Sequence, residues 1–206
     1  MYTNILILCL ASYLADTLWT VDFSTFPSEW TAGSQWQWLD DSAYLDISSP
    51  DWPPGYLFNA DSLFSPIFIV PASSDSLVVA FNHYWWGHGS SNAATEWAQS
   101  TSTLSLQNVS EQGQVFQLWE ITGFCQAATN YVSYSIVDSG CVAVPLLGAS
   151  HGDTVFFQFH GLVETYLDYM AAHATIEWNL YSFHILSYES QQHIAPMTWG
   201  SIKATF

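Results

Sequence analysis

Apolar side chains recur at every second position along much of this chain, which is the period of a β-strand rather than a helix. The clearest run is 75–89, reading D-S-L-V-V-A-F-N-H-Y-W-W-G-H-G. Leu77, Val79, Phe81, His83 and Trp85 share one face of an extended chain, and Val78, Ala80, Asn82, Tyr84 and Trp86 share the other. Both faces are largely apolar, so the pattern predicts a central strand held between layers. Gly87 and Gly89 are expected to end it in a loop. Shorter runs at 18–23, 35–39, 103–107, 115–121, 131–137, 154–159 and 175–188 read as further strands, with Trp36 and Trp38 on one face of the second. Segment 26–30 reads as a turn, and 49–55, S-P-D-W-P-P-G, as a loop stiffened by proline. The polar stretch 90–102 predicts a long loop, and 162–174 a loop or a turn or two of helix. The expected class is all-β: one antiparallel β-sandwich over 18–190, an apolar segment over 1–17 and a tail over 191–206.

Composition narrows the function classes. Half of the 206 residues are hydrophobic and 17% aromatic, ample for a core. Only 9% are charged, and Lys203 is the sole Lys or Arg against 18 Asp and Glu. Nucleic acid and anionic membrane surfaces need basic side chains to neutralise phosphate, so both are excluded as partners. A surface rich in Ser, Thr, Gln and Asn, with almost no site for trypsin-like proteases, is that of an extracellular or cell-surface protein.

The ends are greasy. Residues 5–10, I-L-I-L-C-L, resemble the apolar core of a secretory signal, with Ala15 as the small residue at a cleavage point. If the segment stays attached, Ile5, Leu6, Ile7, Leu8 and Leu10 need burial. So do Trp199, Ile202 and Phe206 in the tail, and a neighbouring subunit is one place for them.

Short motifs in order also carry a resemblance. A strand ending Asp22-Phe23, then Phe26-Pro27 and Trp30, is similar to the opening of MAM-like and cleaved-adhesin jelly rolls of secreted bacterial proteins. Ala60-Asp61-Ser62-Leu63-Phe64-Ser65-Pro66 resembles their A-x-L-x-S-P strand. Residues 77–84, 153–159 and 178–185 resemble three later strands. The resemblance covers 18–188 and implies a jelly-roll, concanavalin-like topology. Some members hold calcium near a terminal Asp, where this chain has Tyr181 or Ser182. Asp22 is then the remaining candidate calcium ligand, with a solvated strand-edge carboxylate as its alternative reading. No other cofactor is implied.

Candidate chemistry is sparse. Cys125 and Cys141 flank a predicted strand and suggest a disulfide in a secreted chain; Cys9 reads as a buried thiol. Asn108-Val109-Ser110 is the only glycosylation sequon. The seven His are scattered, and His83 and His88 are the only near pair, separated by a Trp-Trp-Gly turn. No nucleophile elbow, phosphate loop or dinucleotide fingerprint occurs, which points away from an enzyme. Trp52, Trp85, Trp86 and Trp97 fall in or near predicted loops and could form a stacking platform for sugars. The leading expectation is a self-assembling extracellular subunit of a filament or fibre, its partners being copies of itself. The alternative is a carbohydrate-binding or adhesion module whose partners are glycans.

Overall fold

A computed structural model describes residues 16–25, 27–39, 41–50, 53–72, 76–128, 131–168 and 172–188. Within them the chain forms twelve strands: β1 (Asp16–Asp22), β2 (Thr31–Ala32), β3 (Trp36–Leu39), β4 (Ser42–Ser48), β5 (Gly55–Phe64), β6 (Phe68–Ile69), β7 (Ser76–Ser91), β8 (Trp97–Asn108), β9 (Gln114–Gln126), β10 (Val132–Pro145), β11 (Thr154–Leu167) and β12 (His173–Tyr188). They build two antiparallel sheets. One runs β10-β7-β12-β4-β3, with β1 beside β12; the other runs β2-β5-β11-β8-β9, with β6 beside β11. Take β4, β5, β7, β8, β9, β10, β11 and β12 in chain order as eight principal strands. The first sheet then carries the first, eighth, third and sixth, and the second sheet the second, seventh, fourth and fifth. That interleaving of two Greek keys defines a jelly-roll β-sandwich.

The core lies where the inner faces meet. Leu77, Val79, Phe81, His83 and Trp85 of β7 are all buried, as their alternation predicts. They face Leu104 and Leu106 of β8 and Phe157, Phe159 and Val163 of β11, with Trp178 and Phe183 of β12 completing the layer. Rings meet edge to face: Phe159 lies 5.4 Å from Phe81 at 81°, and 5.6 Å from Trp178 at 71°. Between Leu180 and Phe183 the inward spacing is three rather than two, and a β-bulge there turns Tyr181 outward.

Several boundaries differ from the sequence pattern: β9 and β10 run on to Gln126 and Pro145, and β4 is a strand the pattern did not predict. Strand β7 continues through Gly87 and Gly89 to Ser91, and β8 begins at Trp97, so most of 90–102 is strand. The glycines make room inside the sandwich. A Cβ at Gly87 would fall 2.1 Å from the Trp85 ring, and one at Gly89 2.4 Å from the Tyr134 ring. Segment 162–174 is not helical where described: β11 runs on to Leu167 and β12 starts at His173.

The disulfide is also corrected. Cys125 and Cys141 are both free thiols. Cys125 is buried on the inner face of β9, while Cys141 pairs with Asn82 on the exposed side of the other sheet. Roughly 30 Å of extended chain separates Val132, at the start of β10, from Cys141. A disulfide needs Cα atoms within about 7 Å.

Candidate functional site: an aromatic ribbon on one outer face

Strand pairing places side chains of four strands in cross-strand rows on the outer face of the second sheet. The first row is Tyr56 (β5), Tyr166 (β11), Trp97 (β8) and Gln126 (β9). The second is Phe58, Glu164, Gln99 and Phe124. The next two are Ala60, Leu162, Thr101 and Thr122, then Ser62, His160, Thr103 and Glu120. Of these four rows the first two carry the aromatic rings and the last two are mainly polar around Ala60 and Leu162, with Phe64 and Phe156 further along the same face.

The aromatic end is open to solvent. Phe58 is 61% exposed, Tyr56 and Phe124 53% each, and Tyr166 38%. Trp97 is half-buried between them. Ring centroids step from Phe58 to Tyr56 at 6.0 Å, to Trp97 at 6.0 Å, and on to Phe124 at 6.2 Å. Strands about 4.8 Å apart make the ribbon about 14 Å long from β5 to β9. Glu164 sits in its middle. One carboxylate oxygen accepts the Tyr56 hydroxyl, which pushes the Tyr56 pKa above its ordinary value. No other described residue donates to that carboxylate.

The polar rows are already satisfied. The Gln99 amide donates to Thr101 at 3.0 Å, and Thr101 meets Thr122 at 3.2 Å. Glu120 accepts from Thr122 at 3.0 Å and from Gln117 at 2.6 Å. The Ser62 hydroxyl meets His160 Nδ1 at 2.8 Å and accepts the Gln158 amide at 2.9 Å. The Ser62 backbone N–H donates in turn to Asp61 Oδ1 at 2.8 Å.

The sequence-based candidates scatter. Trp97 lies in the ribbon. Trp86 points from the outer face of the opposite sheet, stacked on His88 at 5.7 Å with its indole N–H donated to Ser135 at 3.0 Å. Trp85 is fully buried, its N–H donated to Ser102 at 2.8 Å, so it is a core residue and no sugar can reach it. Trp52, Ile5, Leu6, Ile7, Leu8, Leu10, Trp199, Ile202 and Phe206 lie outside the described residues. Asn108 is fully buried; its amide donates to Gly148 and Asp153 and its carbonyl accepts the Glu111 N–H. A glycan on that nitrogen has no room in the folded chain, which corrects the sequon reading. Asp22 is exposed and accepts the Ser24 N–H at 2.9 Å, a local turn contact. Among the described residues no group of three or more His, Cys, Asp or Glu converges as a metal site. His83 and His88 cannot act together, because His83 points into the core and His88 to the outer face.

Tyr56, Phe58, Phe124 and Tyr166 escaped the sequence reading. A signal was present: Y-L-F at 56–58 and E-T-Y at 164–166 place these residues two apart, on one face of a strand. The face that turns outward is decided by the inward partners Leu63 and Val163, which is tertiary information.

The fold class is thus that of jelly-roll β-sandwiches. Neither a protein-family model nor a curated protein matches the chain, so membership in the MAM-like family is not confirmed. Among solved structures, the chain is similar to the CBM2 module of the evolved Dit of Lactobacillus casei BL23 phage J-1, at 11% identity and a TM-score of 0.44, covering 86% of this chain and 98% of that one. It is also similar to the CBM22-1 xylan-binding domain of Paenibacillus barcinonensis Xyn10C, at 12% identity and a TM-score of 0.36, covering 86% and 97%. A third is the mannan-recognising carbohydrate-binding module TmCBM27, at 9% identity and a TM-score of 0.36, covering 84% and 98%. These likenesses are distant.

Proposed function

We propose that this protein is a non-catalytic glycan-binding module of the cell exterior whose ligand stacks on the aromatic ribbon. The observation that carries the reading is four adjoining rings from three strands, three of them more than half exposed, aligned on one sheet face. Contiguous exposed apolar surface of this kind marks an interaction site. Sugar rings offer C–H faces to aromatic rings and hydroxyls to the polar groups beside them, and the ribbon has both. A sheet face is also rigid, so little ordering opposes binding. The self-assembly reading rests on residues 5–10 and 199–206, outside the described part, and the ribbon does not require it. A glycan array and pull-down on insoluble polysaccharides test the proposal. Wild type binds, and the Tyr56→Ala/Phe124→Ala variant does not, with an unchanged melting temperature. A blank array, or full binding by the variant, refutes it.

A further inference from the structure

We infer that the ribbon selects uncharged polysaccharide and that Glu164 is its specificity-determining residue, accepting a hydroxyl from the sugar stacked beside it. This deepens the glycan-binding reading and rests on it.

Three observations converge on Glu164. Its carboxylate lies in the same row as Phe58 and Phe124, in the middle of the ribbon. One oxygen is occupied by Tyr56, and the other receives no donor from any described residue. Glu120, the other carboxylate of the polar rows, has both oxygens engaged by Gln117 and Thr122. Glu164 is therefore the acidic group with acceptor capacity to spare where a stacked ring would sit. A carboxylate accepts a hydroxyl through a charge-assisted bond, stronger than a neutral one.

Charge settles the class. The chain carries a net charge of -17, and its single Lys, Lys203, has no fellow Lys or Arg anywhere. A polyuronate or sulfated polymer laid on the ribbon would place anions against Glu164 with nothing to neutralise them. An amine-bearing polymer would be drawn by the same charge, but through a salt-sensitive attraction rather than through hydroxyl geometry. A neutral polymer feels neither effect.

The full chain is titrated with glucomannan, uronate-free arabinoxylan and β-1,3-glucan as neutral probes, polygalacturonate as the acidic probe and chitosan as the basic one. Each is run from about 20 mM to about 500 mM NaCl. At least one neutral polymer binds with an affinity that salt changes by less than about twofold, and polygalacturonate does not bind at low salt. Glu164→Gln keeps the side-chain shape and weakens the neutral polymer by about fivefold or more, with an unchanged melting temperature. Three results overturn the inference while leaving glycan binding in place: polygalacturonate binding as well as the neutral polymers, chitosan binding best with salt-sensitive affinity, or Glu164→Gln binding like wild type. Failure of every probe overturns the glycan-binding reading together with this one.

Discussion

The exposed rings at the two ends of the ribbon can be removed without touching the core, so Phe58→Ala and Phe124→Ala measure ligand contact directly. An aromatic side chain buries roughly 200 Å² when fully covered. With 61% of Phe58 open, roughly 120 Å² is available, and a flat sugar covers one side, about 60 Å². At about 25 cal/mol per Å² that is about 1.5 kcal/mol, close to tenfold in Kd. Phe124, 53% exposed, gives slightly less. The two residues stand three strands apart, so their effects should add, and the double variant should bind about 100-fold more weakly. Isothermal titration with the polymer selected by the probe panel measures this, and differential scanning calorimetry should show stability altered by less than about 0.5 kcal/mol. Trp86→Ala, on the opposite outer face, is the control and should leave affinity unchanged. Wild-type affinity in the double variant would show that the ligand sits elsewhere. Loss of affinity in Trp86→Ala would move the site to the other sheet.

Other consequences concern the scaffold. Gly87→Ala drives a methyl group into the rigid Trp85 indole and should destabilise by about 2–3 kcal/mol, read as a melting temperature about 4–12 °C lower; an unchanged value would mean the ring can move aside. Burial holds the pKa values of His83, His160 and His184 below the ordinary value of 6.5. The unfolded chain therefore takes up protons near pH 6.5 that the folded chain refuses. Stability should be full above that pH and fall as the pH drops below it, and melting curves between about pH 7.5 and 5.5 would expose a flat or opposite trend. Among the described residues His83 has no hydrogen-bond partner on either ring nitrogen, and Asp138 stands 3.6 Å away, too far to bond. His83→Phe should accordingly match or exceed wild-type stability and show a shallower loss in acid; a loss above about 1 kcal/mol would mean the imidazole makes a contact worth keeping. With Cys125 and Cys141 free, dithiothreitol should leave the melting temperature unchanged. Iodoacetamide should label Cys141 in the native protein and Cys125 only after unfolding, and native protection of both by a shared bond would contradict the fold.

The period-two pattern was enough to identify an all-β chain and the inner face of β7, because burial of alternate residues is a local property of an extended backbone. Leu77, Val79, Phe81, His83 and Trp85 fell where their spacing put them. Strand ends were not legible: Gly87 and Gly89 look like terminators until the Trp85 and Tyr134 rings that occupy the space above them are seen. Nor could spacing reveal that β9 and β10, neighbours in sequence, belong to different sheets, which is what separates Cys125 from Cys141. The ribbon is the strongest case. Each strand contributes only one or two of its rings, and none is unusual alone. Only the pairing register of β5, β11, β8 and β9 brings them into one line, since cross-strand neighbours are set by hydrogen bonds between segments distant along the chain.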